Sequence, residues 1–430
     1  MSTAWGPGGR DHIRPGLDRI LEALERTGHP ERSFRTLHIA GTNGKGSTAV
    51  FCESILSRIL NTPIGLYTSP HLLSPTERIR VAGTEIPPDA LDEEMDAASR
   101  VSRAVAGRSG DPLSWFEEMT WAAFDWFRKR GVELGILETG LGGRWDATSA
   151  GLPIASVITN VGLDHREWLG STLPEIAAEK AGILRNGVPA ILGPLRPSAR
   201  RVILRVARER GCPVWESGRD VTLRGNLRDR VTIDLPGGVS VRNAHPGMRG
   251  WFQAENAALA CAATWSIARS RGIPAARFQE AAKEGLEAAR LPGRFSEMRG
   301  PGNRRAWVDG GHNPDAAAAL SRELGPKLRG SRTIALWSML RDKDPRRFVH
   351  TLSPSIDGWV SYPMAGERAA SLPALETVLR KSRVRWRAAR TFVDAWEIAR
   401  EWAGRNGRVV VCGSLMAAAD AYRYRAGGVS

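Results

Sequence analysis

The stretch His38-Ile39-Ala40-Gly41-Thr42-Asn43-Gly44-Lys45-Gly46-Ser47-Thr48 decides the fold of this 430-residue chain. An apolar, β-prone run (residues 36–40) leads into it, and a helix-competent segment (residues 48–60) follows. Glycines let backbone N–H groups face phosphate oxygens without a Cβ clash, and a helix N-terminus and a lysine add positive potential. The order of strand, glycine loop and helix therefore predicts a phosphate-binding loop formed by Gly41, Thr42, Asn43, Gly44, Lys45, Gly46, Ser47 and Thr48.

The spacing of this loop differs from the standard P-loop. Two residues rather than four separate Gly41 from Gly44, and Gly46 stands between Lys45 and Ser47. A tight turn with a surface lysine is the competing interpretation. The polar residues that follow the next apolar runs favour the phosphate-binding interpretation.

Composition indicates an ordinary globular chain of two or three domains. Hydrophobic residues make up 42% and charged residues 25%, and no apolar run reaches 18 residues. The first 16 residues contain no apolar segment of the kind found in secretory signals, and the four cysteines are scattered singly. We therefore expect a cytoplasmic protein with reduced thiols and no membrane partner.

The net charge of +15 is carried by arginine, because only seven of the 61 basic residues are lysine. The arginines are spread along the whole chain and no nucleic-acid motif accompanies them, which favours a codon-level bias over a nucleic-acid footprint. We expect no nucleic-acid partner. A nucleic-acid-binding protein stays an alternative, with steep salt dependence as its mark. The few lysines, among them Lys45 and Lys180, indicate positions where a guanidinium does not serve.

Polar residues stand at the ends of three apolar, strand-like runs. Ser69 follows the run 63–68, Glu138 ends the run 132–138, and His165 follows the run 155–160. Because ligands of an open α/β sheet bind at the carboxyl ends of its strands, we expect these side chains to converge with the glycine loop. Hydroxyl, carboxylate and imidazole groups can together hold Mg²⁺. A solvated strand-end glutamate and an ordinary loop histidine are the competing interpretations.

A break at Leu291-Pro292-Gly293-Arg294 predicts an interdomain linker. From residue 295 a shorter alternation of strands and helices begins, whose first strand ends at Asp309 and whose last strand is followed by Ser414. The sequence therefore predicts an α/β protein with domains at 1–291 and 298–430 and a linker at 292–297.

Eight motifs occur in family order along residues 16 to about 415: GTNGKGS (41–47), YTSPHL (67–72), LETGLGGRWDAT (137–148), ITNVGLDHREWLG (158–170), EKAGI (179–183), PGR (292–294), DGGHNP (309–314) and GSL (413–415). Together they resemble the folylpolyglutamate synthase/dihydrofolate synthase family of the Mur ligase superfamily. The resemblance implies a P-loop-type doubly wound ATPase domain followed by a smaller, Rossmann-like glutamate-ligase domain. It also implies an ATP- and Mg²⁺-dependent ligase that joins L-glutamate to dihydropteroate or to a folate through an acyl phosphate.

The resemblance further implies a role for each matched residue. Lys45 would contact the β- and γ-phosphates; Ser69, Glu138 and His165 would hold Mg²⁺, one of two ions; Lys180 would be carbamylated beside the second metal; Asn256, Arg294 and Asp309 would contact ATP; His312 and Ser414 would lie near the incoming L-glutamate; and Ser114, Phe116, Asp146 and Ala147 would hold the pterin. Two competing interpretations remain: Lys180 as a helix-surface partner of Glu179, and Phe116 as a core residue.

Departures from the family pattern are few. Thr139, Trp145, Arg166 and Gly311 replace the residues expected there, and Ser114 stands where threonine is common. Because Trp145 and Ser114 border the expected pterin pocket, they leave the substrate preference open. The alternatives are a related Mur-type ligase that acts on another carboxylate, and a nucleotide-dependent binding protein. We expect a monomer with small-molecule partners.

Overall fold

The computed structural model describes residues 14–226, 228–300, 304–327 and 330–427. The chain divides into two compact units. The first comprises the chain through Gly247 together with Trp251–Arg290, and the second comprises Met248–Gly250 together with the chain from Leu291 onward. No described helix is long and apolar enough to cross a membrane.

The first unit is built on a large mixed sheet. Its strands are β1 (Arg35–Ala40), β2 (Ile64–Tyr67), β3 (Ile79–Val81), β4 (Thr84–Glu85), β5 (Leu134–Glu138), β6 (Pro153–Ile158), β7 (Ala190–Leu192) and β8 (Val214–Glu216). They are ordered β4-β3-β2-β5-β1-β6-β7-β8, and all pairs from β2 to β8 are parallel. The fold class is therefore as the sequence predicted, with the short antiparallel strands β3 and β4 at one edge.

Nine α-helices accompany these strands in the described part of the first unit. They are α1 (Asp18–Arg26), α2 (Lys45–Ile59), α3 (Pro88–Ser109), α4 (Trp115–Lys129), α5 (Arg166–Leu169), α6 (Leu173–Ala181), α7 (Pro197–Glu209), α8 (Trp251–Ser270) and α9 (Ala275–Ala288). A small antiparallel sheet is formed by β9 (Thr222–Gly225), β10 (Val231–Leu235) and β11 (Val239–Ala244).

The central strands bring their carboxyl ends to one edge of the sheet. Ile39 in β1 pairs with Glu138 in β5 on one side and with Val157 in β6 on the other. Nearly every residue of β1 and all residues of β5 are buried, as expected for parallel strands covered on both faces. The loops that follow β2, β5, β1 and β6 are therefore neighbours.

The second unit contains a six-stranded sheet. Its strands are β12 (Ser296–Gly300), β13 (Arg304–Val308), β14 (Thr333–Trp337), β15 (Gly358–Ser361), β16 (Trp386–Ala388) and β17 (Arg408–Cys412), and its helices are α10 (Pro314–Leu324), α11 (Pro345–Leu352), α12 (Leu372–Lys381), α13 (Phe392–Ala403) and α14 (Leu415–Arg425). The strand order is β12-β13-β17-β14-β15-β16, and only the β12–β13 pair is antiparallel among these neighbours. The sequence did not predict β12, which begins inside the segment assigned to the linker.

Candidate functional site

The glycine loop lies between β1 and α2 as predicted, but α2 begins at Lys45 rather than at residue 48, so Lys45 to Thr48 form its first turn. Gly44 precedes α2 in the left-handed conformation, with a φ of 84°, and the helix begins at Lys45. The first backbone N–H groups of an α-helix have no acceptor within the helix, so the amides of Lys45, Gly46 and Ser47 face outward. Gly44, the N-cap residue, has no side chain that could cap this terminus. The arrangement suits an anion at the start of α2.

Two residues after β6 fix the shape of this loop. Thr42 N donates to Asn160 O (3.1 Å) and Asn43 N donates to Asn160 Oδ1 (2.9 Å). The Asn43 carbonyl accepts from Thr159 Oγ1 (2.6 Å) and from Asn160 Nδ2 (3.0 Å). These bonds engage the backbone groups of Thr42 and Asn43. They do not involve the amides at the start of α2, which can therefore face an anion.

The first turn of α2 has the chemistry that phosphate oxygens and a cation require. Thr48 is fully buried there, and its hydroxyl has no hydrogen-bond partner among the residues the structure describes. A buried hydroxyl without a partner costs free energy, which a ligand can recover. Together with the outward amides and Lys45, this hydroxyl fits a nucleotide phosphate with its cation.

Gly44→Ala is expected to weaken ATP binding. A Cβ at residue 44 would lie 2.3 Å from Asn256 Oδ1, so the Asn256 side chain would have to move. The left-handed backbone adds a cost of about 1–2 kcal/mol for alanine. We expect the KM for ATP to rise about tenfold or more, measured by phosphate release, and the midpoint of thermal unfolding to fall.

Gly187→Ala is the matched control for Gly44→Ala. Gly187 has a φ of 70°, but nothing lies within 4 Å of a Cβ added there. This variant carries the backbone cost alone and should lower the unfolding midpoint without changing the KM for ATP. An equal KM for ATP in the two variants would contradict the assignment of Gly44 to the nucleotide loop.

Lys45, Glu138 and Ser69 are brought together by three different elements. Lys45 Nζ lies 3.9 Å from Glu138 Oε1, and Ser69 N donates to Glu138 Oε2 at 3.0 Å. Glu138 is buried at the end of β5, and the side chain of Lys45 is only 16% exposed. Glu138 is therefore not a solvated strand-end carboxylate, nor is Lys45 a surface lysine.

His165 lies in the loop after β6, two strands from β5. It precedes α5 with a φ of 51°, and its Nε2 lies 3.9 Å from Asp164 Oδ1. No group of three or more His, Cys, Asp and Glu residues in the described ranges is arranged to hold a metal. The predicted Mg²⁺ ligands Ser69, Glu138 and His165 include two residues of these four types, namely Glu138 and His165. This set suits Mg²⁺, which typically takes one or two carboxylates and completes its shell with water and phosphate oxygens.

Lys180 is buried near the end of α6 and points at the glycine loop. Its Nζ donates to Gly41 O at 2.9 Å. Burial, and secondarily repulsion from Lys45, lower the pKa of Lys180 to about 7, although Asp164 and Asp146 oppose the shift. The alternative of a helix-surface partner for Glu179 is wrong, because Lys180 is 3% exposed and the Glu179 carboxylate lies 3.7 Å from Arg144 Nε.

The residues predicted to hold a pterin lie on α4 and in the loop after β5. Ser114 caps α4 by accepting from Glu117 N (3.3 Å), and the ring of Phe116 is half-buried, with its centroid 6.1 Å from that of Tyr67. Asp146 is buried and accepts from Leu141 N (2.8 Å). Ala147 is also buried and follows Asp146 directly. The pterin role of these residues stays a prediction.

Asn256 lies on α8 in the first unit, where its Nδ2 donates to Gln253 Oε1 (3.0 Å) and its Oδ1 faces Gly44. Asn256 therefore lies beside the glycine loop in space, although it is more than 200 positions away along the chain, and its contact with ATP stays a prediction. Gln253 lies three residues earlier on the same helix. The structure shows that it orients the Asn256 amide.

The remaining predicted residues lie in the second unit. Asp309 follows β13 and accepts from Gly311 N (2.8 Å) and Phe295 N (2.9 Å). Burial raises its pKa, against the opposing effects of the Gly311 amide and of Arg294. His312 Nδ1 lies 3.2 Å from Gly310 O, and Ser414 Oγ accepts from Met416 N (3.1 Å) at the start of α14. Because β13 and β17 are parallel neighbours, Asp309 and Ser414 follow adjacent strands.

Sequence reasoning missed the residues that shape the loops. Thr159 and Asn160 fix the glycine loop, and they stand directly after β6, so the strand-end rule that selected His165 applied to them as well. His38 and Thr148 are both buried and lie 2.8 Å apart (Nε2 to Oγ1). No sequence signal joined them, because 110 positions separate them.

Comparison with known proteins adds a family match and curated relatives. Residues 293–415 match the glutamate ligase domain of Mur ligases. The dihydrofolate synthase/folylpolyglutamate synthase of Bacillus subtilis is 34% identical over 79% of this chain and 79% of the relative. The enzyme of that name from Escherichia coli is 33% identical over 93% of this chain and 89% of the relative.

Solved structures match both units. The folylpolyglutamate synthase of Mycobacterium tuberculosis complexed with ADP and AMPPCP has a TM-score of 0.86 at 29% identity, over 95% of both chains. E. coli FolC in complex with DHPP and ADP has a TM-score of 0.83 at 31% identity, over 96% of this chain and 93% of that one. A bifunctional folylpolyglutamate synthase/dihydrofolate synthase with Mn, AMPPNP and L-glutamate bound has a TM-score of 0.79 at 30% identity, over 95% and 93%.

Proposed function

Because the chain belongs to the dihydrofolate synthase/folylpolyglutamate synthase family, we propose that it adds L-glutamate to dihydropteroate, to folylpoly-γ-glutamate, or to both. It is an ATP-dependent ligase that uses a divalent metal. The observation that carries the proposal is the Lys45–Glu138 pair beside the outward amides of α2. Complexes of similar proteins with ADP, an ATP analogue, Mn and L-glutamate support it.

The first half-reaction makes a carboxylate into an acylating agent. A carboxylate oxygen of the substrate attacks the γ-phosphorus of ATP, the bond from that phosphorus to the β-phosphate oxygen breaks, and ADP leaves an acyl phosphate behind. Two anions must approach each other, and the Lys45 ammonium and the amides at the start of α2 offset their repulsion. A divalent cation held by Ser69, Glu138 and His165, and a second one beside a carbamylated Lys180, would supply further positive charge when bound.

The second half-reaction forms the amide. The neutral amine of L-glutamate attacks the acyl carbon, the C–O bond to phosphate breaks, and the amine proton is released. We propose that His312 and Ser414 lie near this amine and that Arg294, Asp309 and Asn256 contact ATP. Asp309 receives two backbone hydrogen bonds, which fix the direction of its carboxylate.

Exposed apolar side chains beside the site support an aromatic carboxylate substrate. Four large hydrophobic side chains are exposed in the described part of the chain, and three of them follow strands at the carboxyl edge of the large sheet. These are Leu73 after β2 (44% exposed), Trp145 after β5 (50%) and Trp168 after β6 (44%). An aromatic substrate would cover such surface favourably.

Phosphate release with ATP, Mg²⁺ and L-glutamate tests the proposal, with dihydropteroate and tetrahydrofolate supplied in separate reactions. Turnover with both substrates is the result expected of a bifunctional enzyme, and turnover with one assigns the chain to a single step. Omission of L-glutamate is the control, because the ligation then has no acceptor. Folded, ATP-binding protein that is silent with both substrates would overturn the folate assignment and favour a Mur-type ligase for another carboxylate.

A further inference from the structure

A buried chain of hydrogen bonds joins β1 to the loop after β5. His38, in the middle of β1, lies with its Nε2 2.8 Å from Thr148 Oγ1, and Thr148 Oγ1 donates to Asp146 Oδ1 at 2.5 Å. None of the three residues is more than 5% exposed. Water is therefore excluded, and each polar atom depends on the next one in the chain.

The direction of the hydrogen bonds assigns a tautomer to His38. The single hydrogen of the Thr148 hydroxyl goes to Asp146, so His38 must donate from Nε2. Burial, followed by repulsion from Arg185, lowers the pKa of His38 to about 3, which keeps the imidazole neutral at physiological pH. A neutral Nε2–H imidazole thus orients the Thr148 hydroxyl toward the carboxylate.

Asp146 uses its acceptor capacity on its own loop. Oδ1 accepts from Thr148 N (3.1 Å) as well as from Thr148 Oγ1, and Oδ2 accepts from Leu141 N (2.8 Å). A carboxylate has about four acceptor positions, and these three bonds together with one from the Gly140 amide occupy them. Burial raises the pKa of Asp146, and the hydrogen bonds from Leu141, Thr148 and the Gly140 amide oppose that shift. The carboxylate therefore closes the loop between residues 140 and 148.

That loop supports an aromatic ring of the candidate substrate site. A Cβ added at Gly140 would lie 2.6 Å from Phe116 Cζ, so the Phe116 ring rests directly on the glycine backbone. On its other side the loop contacts α5, because a Cβ at Gly142 would lie 2.8 Å from Leu169 Cδ2. The position of the loop backbone at Gly140 therefore determines where the Phe116 ring can lie.

We propose that His38 and Thr148 are positioning residues for the folate side of the site, which hold Asp146 and through it the loop beneath Phe116. This inference rests on the proposed function, because the proposed function identifies the folate as the substrate whose binding these residues affect. The hydrogen bonds to Asn43 of the nucleotide loop come from Thr159 and Asn160, so loss of the His38–Thr148–Asp146 hydrogen bonds should raise the KM for the folate substrate more than the KM for ATP.

Two variants of Thr148 separate this role from general packing. Thr148→Val keeps the shape and removes the hydroxyl, so both His38 and Asp146 lose a partner; Thr148→Ser keeps the hydroxyl. We expect Thr148→Val to raise the KM for the folate substrate about tenfold or more, with the KM for ATP within about twofold of wild type. Thr148→Ser should stay within about threefold of wild type for both substrates.

The kinetic outcomes divide cleanly. Equal changes in Thr148→Val and Thr148→Ser, or a loss of kcat with both KM values unchanged, would overturn the positioning role while the function stands. A silent wild-type enzyme would overturn the proposed function, and this inference with it. Long-range ¹H–¹⁵N spectra of histidine-labelled wild type supply a second readout: we expect a neutral Nε2–H imidazole signal at pH 5 that disappears in His38→Gln, separate from that of His71, whose Nδ1 accepts from Arg78 Nε. An imidazolium at His38 would overturn the hydrogen-bond chain.

Discussion

Lys45→Ala is expected to lower kcat for phosphate release by about three orders of magnitude while the fold survives. Lys45 opens α2 beside three outward amides, and its Nζ lies 3.9 Å from the buried Glu138. Removal of the ammonium takes a full positive charge away from the terminal phosphates, where charge moves during phosphoryl transfer. Initial rates at saturating substrates measure the effect, and thermal unfolding checks the fold.

Lys283→Ala and Lys45→Arg are the matched variants for this experiment. Lys283 is exposed on α9, so its removal should change neither kcat nor the unfolding midpoint. Lys45→Arg keeps the charge but spreads it over a planar guanidinium, which does not reproduce a compact ammonium. We expect it to retain less than about a tenth of the wild-type kcat. Activity of Lys45→Ala equal to that of Lys283→Ala would contradict the role of Lys45 in the phosphate site.

The first unit was predictable near the glycine loop because local and long-range preferences agree there. An apolar strand, three glycines and a helix-competent segment fix the order of β1, loop and α2, and the strand-end rule placed Ser69 and Glu138 in the same site. The hydrogen bond from Ser69 N to Glu138 Oε2 shows that the two residues are neighbours, as that rule expects. This prediction was possible because β2 and β5 are apolar runs that are followed by, or end in, polar residues.

β12 could not be predicted from its own residues. The segment Ser296-Glu297-Met298-Arg299-Gly300 has weak strand preference and follows a Pro-Gly break. It forms a strand because it pairs with β13, from Ser296 opposite Val308 to Gly300 opposite Arg304. Pairing across a sheet edge is a tertiary effect, so local propensity assigned the segment to a linker.

The pKa shifts and hydrogen-bond partners of the site residues could not be predicted from the sequence either. The rarity of lysine in this chain distinguishes Lys180 from its neighbours. Its contact with Gly41 could not be predicted, because the two residues are 139 positions apart. Its lowered pKa arises from burial and from Lys45, which only the fold brings near. The same applies to Asp146, whose partners Thr148 and Leu141 are close in sequence, while His38 reaches it from another strand.

Lys180→Arg is expected to lower kcat about a hundredfold, because a guanidinium cannot form a carbamate. Carbamate formation joins the neutral Lys180 amine to CO₂ through a new N–C bond and releases one proton. With a pKa of about 7, a large share of this amine is neutral at pH 7.5. The neutral share shrinks as the pH falls through about 7, so wild-type activity should fall over that range and recover partly when bicarbonate is added.

Chemical rescue of Lys180→Ala decides which charge this position needs. A carbamate presents a carboxylate-like anion, so acetate or formate in the cavity left by the side chain should restore part of the activity. If Lys180 instead acts as an ammonium that donates to the Gly41 carbonyl, methylammonium should restore activity and acetate should not. Rescue by methylammonium alone, together with a wild-type rate that ignores bicarbonate, would contradict carbamylation. Acetate and methylammonium have opposite charge and similar size, so the cavity volume cannot account for a difference in the activity that they restore.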